Sequence, residues 1–282
     1  MEIIKALYDT ARKDLLAAET LYWDKKYSQS MFFFQQGVEK ANKVLGLLEK
    51  IIQPQELSEI GHNSMKMYKK SLLMRKATID ETIAYARNFP KIKKHQYYKD
   101  ARNHSEDLKK GEKFLQDLNK DNFAKLSYGD LYYCLDNMWD LYHGKLQIPT
   151  NLDDVLDQQF QPYLTLKEAI GTEEALKEKA EFEAALKDIE QRGQIEKGVR
   201  MVSERLIDFG YINCTLYFCA IITLSHAIKA RYPDPASSFH PLAFYTRRLP
   251  LVELQPEFVW YMKKALKKMS LIYPELKNNR IC

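Results

Sequence analysis

Glycine and proline are scarce in this chain, ten of each in 282 residues. That is too few for the turns of an all-β protein, and it leaves helix as the favoured class. Cysteine is scarcer still. Cys134, Cys214, Cys219 and Cys282 form no CxxC pair and have no His-x3-5-His partner, which excludes a zinc site of the usual spacing and suits a reduced, cytoplasmic interior. No GxxxxGK[ST] loop, GxGxxG turn, GxSxG elbow or HExxH pair occurs. The common phosphate, dinucleotide, hydrolase and zinc-protease signatures are therefore missing, and no cofactor or metal is expected. The opening MEIIKALYDTARKDLL is amphipathic and charged where a secretory signal needs an unbroken apolar core.

Long apolar runs are rare too, with one exception. Residues 211 to 228, YINCTLYFCAIITLSHAI, approach the length of a membrane span. Asn213, Thr215, Thr223, Ser225 and His226 interrupt the run, and a helix apolar on most sides is what the centre of a bundle requires. The segment is read as core and no membrane association is expected.

What is present is helical periodicity. Ile3, Leu7, Leu15, Ala18 and Leu21 recur at three- and four-residue steps, and Phe33, Val38, Ala41, Leu45 and Leu48 do so in a second segment from about 28 to 52. Gly37 and Gly46 inside that segment each cost roughly 1 kcal/mol against alanine, so close helix contact is expected there. Pro54 suits the first turn of a short helix, and a turn follows near Gly61. Residues 63–74 and 78–88 read as two short helices, the second opened by a Thr78-Ile-Asp-Glu81 capping box and ended by Pro90. Residues 128–143 and 256–271 carry helical spacing. Residues 172–191 read as an exposed, charged helix. Pro233, Pro235, Pro241 and Pro250 forbid a continuous helix before the last one. The polar stretch 147–161 is the best candidate boundary.

Charge is uneven. Residues 1–150 carry 25 Lys and Arg against 20 Asp and Glu, while residues 151–282 carry 18 of each. Arg87, Lys91, Lys93, Lys94, Lys99 and Arg102 concentrate the excess, with Tyr97 and Tyr98 among them. Such a patch can hold phosphates and stack a base, or it can be a solvated helix end.

Two stretches are more specific. Ala11-Arg-Lys-Asp14-Leu-Leu-Ala-Ala-Glu19 followed by Gln35-Gln36-Gly-Val-Glu39-Lys40-Ala41 resembles the opening helix pair of the HEPN family, and Glu59-Ile-Gly-His62-Asn63 falls where members carry a His-Asp-Leu turn. Downstream, Arg231-Tyr232-Pro233-Asp234 is similar to a segment before the last helix of some members. The resemblance implies an all-α, up-and-down bundle split into residues 1–75 and 205–275, with 76–204 as a helical insertion or second subdomain. It also implies a homodimer that binds RNA or a nucleotide, in a defence or toxin-antitoxin setting, beside a partner nucleotidyltransferase or antitoxin. Lys40, Lys91, Lys93, Lys94, Tyr97, Arg231 and Tyr232 are the candidate ligand contacts.

Several branches of that family are metal-independent RNases with an R-x4-6-H pair. Here Arg87 and His95 have seven residues between them and Arg231 and His240 have eight. Arg87 and His95 are the catalytic candidates, and no standard catalytic motif is present. Two rivals to the binding module remain: an RNase toxin of the same family, and a helical scaffold that docks a protein. Structural roles compete at each position. Gln35 and Gln36 can satisfy buried groups, Lys40 can lay its stem over apolar surface, and Arg231 can cap a helix. His62 and His226 have no metal-binding companion in the sequence.

Overall fold

The computed structural model describes residues 2–117, 126–143, 153–230, 232 and 239–276. Among these the chain is all-α, with no β-strand. Contacts divide it into two units, one formed by residues 1–71, 117–145 and 207–282, the other by 72–116 and 146–206.

The first unit opens with α1 (Glu2–Trp23) and α2 (Tyr27–Leu48), a helical hairpin joined by a turn in which Lys25 takes a left-handed φ of 61°. A second left-handed lysine, Lys50, ends α2 as the Ile51 N–H bonds back to the Gly46 carbonyl at 2.8 Å. The expected close approach at both glycines is present. A Cβ at Gly37 would lie 2.9 Å from Leu15 Cδ2, and one at Gly46 would lie 2.4 Å from Met67 Sδ. Pro54 starts a 3-10 turn, α3 (Leu57–Ile60) follows, and Gly61 reverses the chain at φ 55°. Ile52, Ile60, Leu47 and Met67 close a small apolar cluster beneath this turn.

The helix after it, α4 (Met65–Ala86), corrects the two-helix reading of residues 63–88. Thr78 is not a cap: its hydroxyl donates to the Met74 carbonyl four residues back, 3.2 Å away, which a threonine does inside a continuous helix. The chain leaves helix at Ala86, four residues before Pro90.

The rest of the first unit comes from α6 (Tyr128–Tyr142), the later part of α9 (Ile189–Thr223), α10 (His226–Lys229), α11 (Pro241–Phe244), α12 (Pro250–Glu253) and α13 (Gln255–Ile272). Their buried residues include Leu131, Met138, Leu216, Cys219, Phe258, Met262, Ala265 and Met269, which complete a core begun by Leu15, Met31, Phe34, Val38 and Leu45. Polar pins set their positions. Tyr8 donates to the Leu266 carbonyl at 3.1 Å and Tyr211 to the Tyr261 carbonyl at 3.0 Å. Ser30 donates to the Ala18 carbonyl at 2.6 Å while accepting from Gln255 at 2.7 Å. Asn42 donates to the Val38 and Leu216 carbonyls and accepts from the Tyr68 hydroxyl at 2.6 Å.

The sequence reading put residues 76–204 together; α6 instead buries Leu131, Cys134, Leu135 and Met138 in the first unit, against α12 and α13. Among the described residues α9 is long and apolar enough, by length and composition, to cross a membrane. Half of its apolar window is buried in the fold, and Tyr211, Ile212, Leu216 and Cys219 lie in the bundle core.

The second unit contains the later part of α4, α5 (Gln96–Asp117), α7 (Asp153–Ile170), α8 (Glu173–Lys187) and the first part of α9. The boundary stretch 147–161 lies partly outside the described residues, and its end is the helical start of α7. Gly171 at φ 69° ends α7, and the Thr172 hydroxyl caps α8 by accepting from the Ala175 N–H. Ion pairs between Lys167 and Glu178 and between Lys179 and Glu168 hold this hairpin, with Phe182 edge-on to Phe160 and Tyr163.

Candidate functional site

The residues that carry the family resemblance meet in one polar network on α1 and α2. Gln35, Gln36, Glu39 and Lys40 fall at four-residue steps along one stripe of α2, and Lys40 at the edge of that stripe reaches Asp14 of α1. Lys40 Nζ donates to Asp14 at 2.7 Å and to Gln36 Oε1 at 3.1 Å. The Gln36 amide donates to Gln35 Oε1 at 2.7 Å, and Gln35 donates to Glu39 at 3.3 Å. Lys43 Nζ reaches Glu39 Oε1 and His62 Nδ1 reaches Glu39 Oε2, each at 2.8 Å.

Glu39, 6% exposed as a side chain, is the centre of this arrangement. Burial pushes its pKa up, but hydrogen bonds from Lys43 and His62 and their charges outweigh that, so the net direction is downward. A carboxylate held ionised by two donors is a poor proton shuttle near neutral pH. The two histidines that have no metal-binding companion in the sequence each meet a polar side chain here. His62 meets Glu39, and the buried His226 has its Nδ1 2.7 Å from the Tyr245 hydroxyl. Lys40, a candidate ligand contact, is committed to Asp14. The sequence could have shown this only by pairing a helix with its neighbour.

The basic patch of residues 87–102 lies in the second unit. His95 Nε2 is 2.9 Å from the Thr165 hydroxyl, and the His95 ring stacks on Tyr97 at 5.4 Å. Arg87 makes no side-chain hydrogen bond or ion pair with His95 among the described residues. Lys93 and Lys94 end a short 3-10 turn that begins after Lys91, and all three are exposed. Arg231 lies outside the described residues, as do Pro233 and Asp234. Tyr232 is exposed and lines a cleft of about 640 Å³ with Ser28, Phe32, His240 and Leu242. No group of three potential metal ligands occurs among the described residues.

A second concavity, about 500 Å³, lies between α1 and α13 and was not anticipated. Tyr8, Arg12 and Leu16 form one wall, and Trp260, Lys263, Lys264 and Lys267 form the other. Both helices bury their apolar faces in the same core, which leaves these cations at the seam. Lys263 is paired with Glu19 at 2.9 Å. Arg12, Lys264 and Lys267 have no ion-pair partner among the described residues. The Lys264 amine lies 4.9 Å from the ring centroid of Trp260, a residue 40% exposed. Cations that are not neutralised, beside a half-exposed indole, can bind phosphates and stack a base. In sequence these residues are some 250 positions apart, so only the packing of α1 on α13 brings them together.

No family model, curated protein or solved structure matches the chain.

Proposed function

We propose that the chain is a HEPN-like helical protein that binds RNA or a nucleotide without cleaving it, and that single-stranded RNA lies in the α1–α13 groove. The groove carries this reading, since three cations without ion-pair partners and an exposed tryptophan converge there. The part-buried meeting of Asp14, Gln35, Gln36, Glu39 and Lys40 supports the family resemblance, because residues serving one motif should share one site. That resemblance adds a cytoplasmic homodimer acting beside a nucleotidyltransferase or antitoxin in a defence setting. The departure of Arg87 and His95 from the R-x4-6-H spacing argues against the RNase rival.

The test is anisotropy of labelled single-stranded RNA with the purified chain in EDTA across a salt series. Three phosphate contacts give a slope of log K against log salt of about −2. Lys264→Ala and Lys267→Ala should each weaken binding and flatten the slope by about 0.7, with no RNA cleavage. Binding unchanged by both substitutions would refute the groove, and cleavage lost in His95→Ala would replace this reading with the RNase.

A further inference from the structure

On α6 the side turned away from the core is not the solvated face that an amphipathic helix normally presents. Leu131, Cys134, Leu135 and Met138 point into the first unit. At 100° per residue Tyr128, Tyr132, Asp136, Trp139 and His143 fall within one outward stripe, with Tyr133 and Asp140 beside it. Trp139 is 52% exposed and Tyr133 is 64% exposed. Outward tyrosine and tryptophan are the side chains that most often anchor protein interfaces. The helix carries Asp130, Asp136 and Asp140 and no lysine or arginine. Exposed Glu253 adds a fourth carboxylate at its N-terminal end, bonded to the Tyr128 hydroxyl.

We infer that this face of α6 docks a basic segment of a partner protein, one whose arginine or lysine side chains lie over the aromatic rings and between the carboxylates. Charge decides the occupant. Carboxylates at this density repel a phosphate backbone, so the face is not an extension of the RNA groove. Cations are what both the aspartates and the faces of Trp139 and Tyr132 attract. The same chemistry already occurs inside the unit, where Lys264 and Lys268 lie 5.9 and 5.8 Å from the ring centroid of Tyr142 at the end of this helix. The chain as a whole carries +5, so general attraction for a basic peptide is absent and binding must be local to this face.

The experiment titrates the full chain by calorimetry with a synthetic amphipathic peptide carrying arginine and lysine on its polar face, and with the same peptide bearing glutamate there. The basic peptide is expected to bind and the acidic one is not. Trp139→Ala and Asp136→Asn should each weaken binding roughly tenfold or more, while circular dichroism shows both variants folded. Lys267→Ala, which weakens RNA binding in the groove and lies away from α6, serves as the contrast. An affinity equal in the wild type, Trp139→Ala and Asp136→Asn would overturn the inference. So would sedimentation showing that the chain alone self-associates through this face and that Trp139→Ala abolishes it, because the occupant would then be a second copy.

Discussion

Lowering the pH from 7 to 5 should cost the first unit about 2 kcal/mol through His226 alone. The imidazole is buried, and its neighbours are the Tyr245 hydroxyl and the Lys229 ammonium. Burial, and secondly the Lys229 charge, push its pKa down from 6.5 to about 4. The unfolded chain therefore takes up a proton between those pH values and the folded chain does not. Stability is fully present above pH 6.5, declines as the pH falls, and levels off near pH 4. With 1.36 kcal/mol for each pK unit, the whole effect is on the order of 3 kcal/mol, and about two thirds of it is expressed by pH 5. Urea denaturation at pH 7 and pH 5, beside a His226→Gln variant that cannot titrate, measures it. Wild type should lose about 2 kcal/mol over that interval and the variant only a few tenths. An equal loss in both would show that His226 is not held neutral by its surroundings, and the description of the α9–α11 region would fail with it.

Other outcomes follow from packing. Gly46→Ala should destabilise by about 1–3 kcal/mol, because the new methyl meets Met67 and Ile52 in a filled cluster; chemical denaturation reads it. Ser30→Ala leaves the buried Gln255 amide without its acceptor and removes a second bond to the Ala18 carbonyl, and should cost about 1–3 kcal/mol in the same assay. Thr78→Ala should stabilise by about 0.5 kcal/mol, since Thr78 is exposed within a continuous helix. A loss of about 1 kcal/mol would mean that it caps a helix after all.

The helical class and most elements were legible because periodicity and capping are local. Pro54 and Gly61 each act where the sequence suggests, through a fixed φ and a positive φ, and the segment read as a charged helix from residue 172 opens on a hydroxyl cap. Thr78 misled because Thr-x-x-Glu is only a cap if the chain before it is not already helical, and Met65 to Ala77 is. The site was less legible. Lys91, Lys93, Lys94 and Tyr97 form a patch because they are close in sequence, whereas Arg12 and Lys264 become neighbours only when α1 packs on α13. Lys40 looked available because nothing local marks its partner Asp14, one helix away.

Asn42 has a consequence for how this sequence can drift. Apolar helices packed on one another tolerate sliding by part of a turn, since one methyl replaces another at little cost. The Asn42 amide, gripping the Leu216 carbonyl of α9 and the Tyr68 hydroxyl of α4, works as a vernier that allows one setting among three helices. Substitution at either side chain alone leaves a buried group unsatisfied, so the pair is expected to change together or not at all. In homologous sequences Asn42 and Tyr68 should appear as a matched pair even where the surrounding leucines have been freely exchanged.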